Sequence, residues 1–272
     1  MSIRDDALSS TIAVYDIETP FITSEGSDAL TQIYCIAVTV IDNGVIQPSK
    51  LFTETWQSYS DGSLMEGIEL INSCKYTGAH NGMSFDAPVI SNVLSTDITP
   101  IPLDTLIISK LLYSSDELIG MDAKLDIPKN LWGSYSLKAF GYRLGNYKIQ
   151  FEEFDEGLTE QMGIYCKQDA DLTADLLLHL FSGEYFPNDE VITLEHKAAS
   201  IIAKQESYGF YFDIDKARIL NSELLAEKLA ISQKLVPLFR PKLLPDGRVA
   251  TYKKPMKSRR FLPNTNYKDP WK

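Results

Sequence analysis

The stretch TIAVYDIETP, residues 11–20, decides how this chain is read. Its first half is an apolar, β-branched run of the kind that forms a buried strand. It ends in two carboxylates, Asp16 and Glu18, separated by one residue. Side chains at i and i+2 of a strand share a face, so Asp16 and Glu18 are expected to project together. Two like charges held that close repel each other unless a proton or a cation stands between them. Taken alone, the stretch also reads as an ordinary turn at a strand end, where Asp, Thr and Pro are frequent. The choice depends on what the rest of the chain brings to the same place.

Working outward, QIYCIAVTVI (residues 32–41) is a second apolar strand, and DNG (42–44) is a strong hairpin turn. GVIQPSKLFT (44–53) is expected to return as a strand. SLMEGIELINSC (63–74) has helical spacing, and KYTGAHN (75–81) reads as a short strand running into a turn. FDAPVISNVLS (85–95) reads as a helix, with Pro88 tolerable in its first turn. IPLDTLIISKLLY (101–113) is a short extended piece leading into an apolar helix. Residues 114–133 are polar with Gly and Pro, and are expected to form a surface loop. SYSLKAFGYRLG (134–145) is a helix stopped by Gly145, and a long helix is expected from Leu158 to Phe181. A hairpin followed by strand–helix alternation implies an α/β fold, a mixed β-sheet flanked by helices.

YFPNDE (185–190) marks a boundary, followed by a helix, a short extended piece and a second helix to about residue 239. The expected domains are therefore 1–186, a helical segment 187–239, and a basic, Pro-containing linker or tail 240–272. The tail carries ten Lys/Arg and two Asp/Glu, a net of +8; the whole chain has 26 basic and 37 acidic residues, leaving −19 on residues 1–239. An acidic body does not suit wide gripping of a phosphate backbone, but it does suit carboxylates that hold divalent cations. No secretory signal or membrane span is visible in the 272 residues. Three cysteines, odd in number and without ligand spacing, read as buried thiols in a reducing cytoplasm. The three histidines are scattered, so no zinc site is expected.

Two further acidic positions then appear. In HNGMSFDAPVI, Asn81 follows a strand and Asp86 opens a helix. In GIYCKQDADLTADLLL, Tyr165 and Asp169 are four apart and share a helix face. Four carboxylates thus stand at strand ends and on helices: Asp16, Glu18, Asp86 and Asp169. A buried cluster of this kind is costly unless hard cations neutralise it, and oxygen ligands select Mg²⁺ or Mn²⁺. Two such ions, about 4 Å apart, clamp the attacking and leaving oxygens of a displacement at phosphorus. The neighbouring acids Asp171 and Asp175 lie off the Tyr165/Asp169 face and read as solvent-exposed. Cys166 reads as core, pointing away from the site, and Leu172, Leu176 and Leu180 as core on the same helix.

D-x-E, N-x3-F-D and Y-x3-D, in this order, resemble the DEDD superfamily of 3′→5′ exonucleases, in its tyrosine branch. The histidine branch would need His where Ile164 stands. HNGMSFDAPVI, LDTLIISKLL, SLKAFGYRLGNYK and EHKAASIIAKQESYGFYFD look like successive stretches of the family A DNA polymerases of T-seven-like phages, over most of residues 10–236. The resemblance implies a ribonuclease H-like exonuclease domain over 1–186 and the helical start of a polymerase domain over 187–239. It implies that Asp16 bridges two Mg²⁺ ions, with Mn²⁺ as a substitute, and that Glu18 and Asp169 complete the nucleophile-side metal. Tyr165 and Glu18 would orient the water, and Asp86 would hold the leaving-group metal. Asn81 would sit near the terminal nucleotide, with Phe21 or Ile22 packing on its base. Asp104 matches a supporting acid of the family, though a helix cap is its simpler reading; Lys138 and Arg143 could touch phosphates or be solvated helix charges.

The expected function is a proofreading 3′→5′ exodeoxyribonuclease acting on single-stranded or frayed DNA, in the cytoplasm of the host if the chain is phage-encoded. Nothing after residue 190 supplies a polymerase site. The partners this implies are the 3′ end of single-stranded DNA and, if the chain is half of a split polymerase, a separate polymerase chain; no membrane is involved. The alternatives are an exoribonuclease of the same superfamily and a non-catalytic module that docks a polymerase or holds DNA.

Overall fold

The computed structural model describes residues 2–20, 30–148 and 157–235. Its sheet grows from the opening strand. β1 (Thr11–Glu18) pairs antiparallel with β2 (Cys35–Asp42), placing Asp16 opposite Ala37 and Glu18 opposite Cys35. The chain reverses through Asn43 and Gly44, both at positive φ (48° and 76°), into β3 (Val45–Ile46). That is the two-residue turn that Asn-Gly favours. β4 (Lys50–Thr53) continues the antiparallel pairing with β2, and β5 (Gly62–Ser63) lies parallel to β4. On the other side of β1, β6 (Tyr76–Ala79) and β7 (Ile101–Asp104) are parallel additions. The order is β5-β4-β2-β1-β6-β7, with β3 on β2. This mixed sheet, three antiparallel strands extended by parallel ones, is of the ribonuclease H-like type.

The helices among the described residues are α1 (Ile3–Leu8), α2 (Leu64–Ser73), α3 (Asp86–Leu94), α4 (Thr105–Leu112), α5 (Ser115–Asp122), α6 (Leu137–Leu144), α7 (Glu160–Ser182), α8 (Asp189–Tyr208) and α9 (Ile214–Leu235). The period of two along β1 sorts its side chains into two cores. Ala13, Tyr15 and Ile17 pack with Ile68 and Ile71 of α2 and with Val89 and Ile90 of α3. Ile12 and Val14 pack with Leu172, Leu176, Leu177 and Leu180 of α7. Asp16 and Glu18 continue the second series, so they end the strand on the α7 side. Fully burying a Leu or Ile contributes about 1.5–3 kcal/mol, so the α7 stripe fixes that helix firmly against β1.

One expectation changes. Residues 114–133 are not all loop: α5 forms there, held by a capping box between Ser114 and Glu117. Its last residue, Asp122, is fully buried and paired with Arg143 of α6, Nε to Oδ1 at 2.8 Å. Its polar sequence offered no apolar stripe to read, because its anchor is an ion pair. The chain divides after Gly209 into two compact units, 1–209 and 210–272. The expected boundary at 186/187 falls between α7 and α8, and α8 packs on α4 and β7 within the first unit through Ile192 and His196. In the second unit α9 buries none of its residues. Among the described residues no helix is long and apolar enough to cross a membrane.

Candidate active site

The end of β1 supplies the first two acids. Glu18 is 7% exposed, and Asp16 is half-buried. The strand opposite them carries small side chains, Ala37 and Cys35, which form a compact core with Met162, Cys166 and Ala170 of α7. Small residues there leave room for the carboxylates on the surface above. Cys166 does not point away, as a helix projection suggested. Its Sγ lies 3.4 Å from the Asp16 carbonyl oxygen and 3.9 Å from Asp16 Oδ2, and donates to them from beneath. The thiol is buried core and a support for Asp16 at once.

The third acid comes from the turn that joins β6 to α3. Asn81 is exposed and takes a left-handed conformation, φ 68°, at the end of β6. A Cβ on Gly82 would stand 2.3 Å from Ala79 Cβ, so glycine is required there. The turn delivers buried Asp86 to the start of α3, where its carboxylate accepts from its own backbone N–H and that of Ile17. Asp104 braces the turn: its Oδ1 accepts from Asn81 N at 3.1 Å and its Oδ2 from Met83 N at 3.1 Å. The same carboxylate caps α4 through Leu106 N and Ile107 N. Asp104 N in turn donates to His196 Nε2 of α8 at 2.8 Å. Asp104 is thus both a helix cap and the support of the Asp86 turn.

α7 supplies the last two groups. Asp169 is buried, and Tyr165 lies one turn before it. Asp169 accepts a hydrogen bond from the phenol, and its Oδ2 pairs with the Lys148 ammonium. Asp169 Oδ1 is buried with no hydrogen-bond partner. An orphaned carboxylate oxygen in a dry site is costly unless a ligand meets it.

Proximity shows in the proton affinities. Burial, then Asp86, Asp169 and Glu18, hold Asp16 well above the usual carboxylate range. Burial and Asp169 push Glu18 up to about 8, with Lys148 opposing. Burial raises Asp86 to about 7 against the backbone donors that lower it, with Asp104 adding to the rise. Burial also raises Asp169, with Lys148 and Tyr165 opposing. The Tyr165 phenol, buried and beside Asp169, is pushed up to about 12 and stays protonated. The four acids therefore sense one another, and burial makes each of them harder to ionise than a solvated carboxyl. The donor set is almost all carboxylate oxygen, the choice of a hard divalent ion. Ligand atoms of Asp16, Glu18 and Cys166 lie within 4.8 Å of one another, close enough to share one ion. With the orphaned Asp169 oxygen, the carboxylates of this group fit a hard divalent metal.

Asp16, Glu18, Asp86, Tyr165 and Asp169 are thus brought together, with Asn81 at the exposed turn beside them. Phe21 and Ile22 lie outside the described residues. Arg143 is not available to phosphate, because Asp122 and the Ser134 carbonyl occupy its guanidinium. Lys138 is exposed on α6. Asp171 and Asp175 are not solvated acids: Asp171 accepts from Thr39 Oγ1 at 2.7 Å, and Asp175 from Asn146 Nδ2 at 2.9 Å. His80 sits in the turn, its Nδ1 2.9 Å from Thr105 Oγ1. Lys148 was missed. It follows a helix stop and precedes no periodic segment, and its partner is 21 residues further on.

The sheet and the carboxylate set define an α/β chain of ribonuclease H-like build, and the relatives are more particular. In sequence the chain is similar to the DNA-directed DNA polymerase of Escherichia phage T7, 30% identical over 211 residues, with 62% of this chain and 30% of the relative covered. It is similarly related to that of Enterobacteria phage T3, at 29% identity and the same coverage. The chain spans about 30% of the length of these relatives. No family model matches. Among solved structures it is similar to a nuclease in apo form (14% identity, TM-score 0.45, 78% of this chain and 94% of that one). Brucella melitensis NrnC gives 15% identity and a TM-score of 0.41, covering 71% of this chain and 80% of that one.

Proposed function

We propose that the chain is a metal-dependent 3′→5′ exonuclease of the DEDD type, tyrosine branch, that removes the terminal nucleotide of single-stranded or frayed DNA as the proofreading part of a phage DNA polymerase. The observation that carries this reading is the convergence of Asp16, Glu18, Asp86 and Asp169 from β1, α3 and α7 around one partly buried site, with a carboxylate oxygen left unpartnered. The kinship with phage DNA polymerases supports DNA as the substrate and proofreading as the setting.

Asp16, Glu18, Asp86 and Asp169 would hold the metal ions. Two Mg²⁺, or Mn²⁺ in their place, supply Lewis-acid stabilisation of the attacking and leaving oxygens at phosphorus. Tyr165, kept protonated, offers a fixed hydroxyl that can orient the attacking water, with Glu18 as a second acceptor nearby. Asn81, exposed in its left-handed turn, would meet the terminal nucleotide. The site admits an end rather than a duplex, because its acids sit at or below the surface where a paired strand would not reach.

The apolar side chains of α9, among them Leu220, Leu224, Leu225 and Leu229, are exposed. They support association of the second unit with a polymerase moiety. The test of the site is Asp16→Ala. Hydrolysis should be abolished while binding of single-stranded DNA survives, measured by anisotropy alongside turnover. Tyr165→Phe should lower the rate by far less, since it removes an orienting hydrogen bond and no ligand. Normal turnover in Asp16→Ala would overturn the assignment.

A further inference from the structure

The acidic cluster has one organic cation built into it. Lys148 follows the helix stop Gly145 and turns its Nζ to Asp169 Oδ2. The ammonium also stands 4.6 Å from the centroid of the Tyr165 ring. The Lys148 side chain is 20% exposed and that of Asp169 is 5% exposed, so the pair is little screened by water. Among the described residues no other Lys or Arg makes an ion pair with any of the four acids. One positive charge therefore faces four carboxylates, and it faces the one whose other oxygen is buried and unpartnered.

Resting on the nuclease reading above, we infer that Lys148 is the resident counter-cation of the metal site. Its ammonium compensates the cluster and holds Asp169 and Tyr165 in register while divalent metal is absent. For the same reason it opposes metal entry, and so it sets the metal concentration at which the site fills. The physics is direct. An ammonium and a dication drawn to the same carboxylates repel each other, and in a partly buried site that repulsion is several times stronger than in water. Asp169 Oδ1 leaves a place for the metal, so the two cations compete for negative potential rather than for one atom.

The experiment is Mn²⁺ binding to the full chain without DNA, by isothermal titration, together with thermal melting in EDTA. It compares wild type, Lys148→Gln and Lys148→Arg. Gln keeps a hydrogen-bond donor and removes the charge, so the expected result is Mn²⁺ binding tighter by roughly tenfold and a lower melting temperature in EDTA. Arg keeps the charge and is expected to bind Mn²⁺ within about twofold of wild type. Should Lys148→Gln fail to fold without metal, the Arg variant decides alone, and a tenfold change there would overturn the inference. Unchanged or weaker Mn²⁺ binding in a folded Lys148→Gln chain would also overturn it, making the lysine a tether and no more. Absence of Mn²⁺ binding by wild type would overturn both this inference and the nuclease reading; binding by wild type with no change in Lys148→Gln overturns this inference alone.

Discussion

Asp16 and Glu18 show how a single residue's environment becomes a property of the molecule. In the metal-free chain Glu18 titrates at about 8 and Asp86 at about 7, against ordinary values of 4.5 and 3.8. A folded-state pKa raised above the unfolded one means that the fold binds the proton more tightly. The stability from that proton is complete below the unfolded value and is lost as pH rises through the folded one. In EDTA the unfolding free energy should therefore fall between pH 5 and pH 8, by up to about 1.4 kcal/mol per pH unit for each such group, and the melting temperature with it. Mg²⁺ should restore more stability at pH 8 than at pH 5, and Asp16→Asn should flatten the EDTA profile while ending hydrolysis. A flat profile in the wild type, measured by calorimetry, would mean that the acids do not share a site. Asp16 and Glu18 were legible because a strand repeats every two residues, and Tyr165 and Asp169 because a helix brings i and i+4 together. Lys148 and the contact of Cys166 with Asp16 were not, because both are made across 21 or more residues by packing that no local period encodes.

The elements around the site were read as far as their anchors were apolar. β1, β2, the Asn-Gly turn and the Leu stripe of α7 all follow from apolar patterning and turn chemistry. α5 does not, since it is fixed by Asp122, whose carboxylate accepts from Arg143 Nε and Nη2 and from Gly133 N at 2.8–2.9 Å. The Ser114-x-x-Glu117 capping box was its one visible signal. Breaking a buried pair by removing one partner costs about 3–5 kcal/mol. Asp122→Ala should therefore destabilise the chain by an amount of that order in chemical denaturation, with the carboxylate cluster intact. A loss under about 1 kcal/mol, the scale of a surface pair, would show that Arg143 finds another partner and that α5 is held by something else.

At the scale of the whole molecule, charge and organisation separate. Residues 1–239 carry a net −19, and the four acids of the candidate site gather at one end of β1. The first unit reaches Gly209, because His196 of α8 is tied to Asp104 and through it to the turn that carries Asp86. The expected tail, 240–272, lies outside the described residues. The most direct test of the account is to incubate the purified chain with a 5′-labelled single strand, in Mg²⁺ or in EDTA, and to resolve the products by length. A Mg²⁺-dependent ladder that shortens from the 3′ end and is absent in EDTA is expected. An intact strand with a folded, Mg²⁺-loaded chain, or cleavage that persists in EDTA, would contradict it.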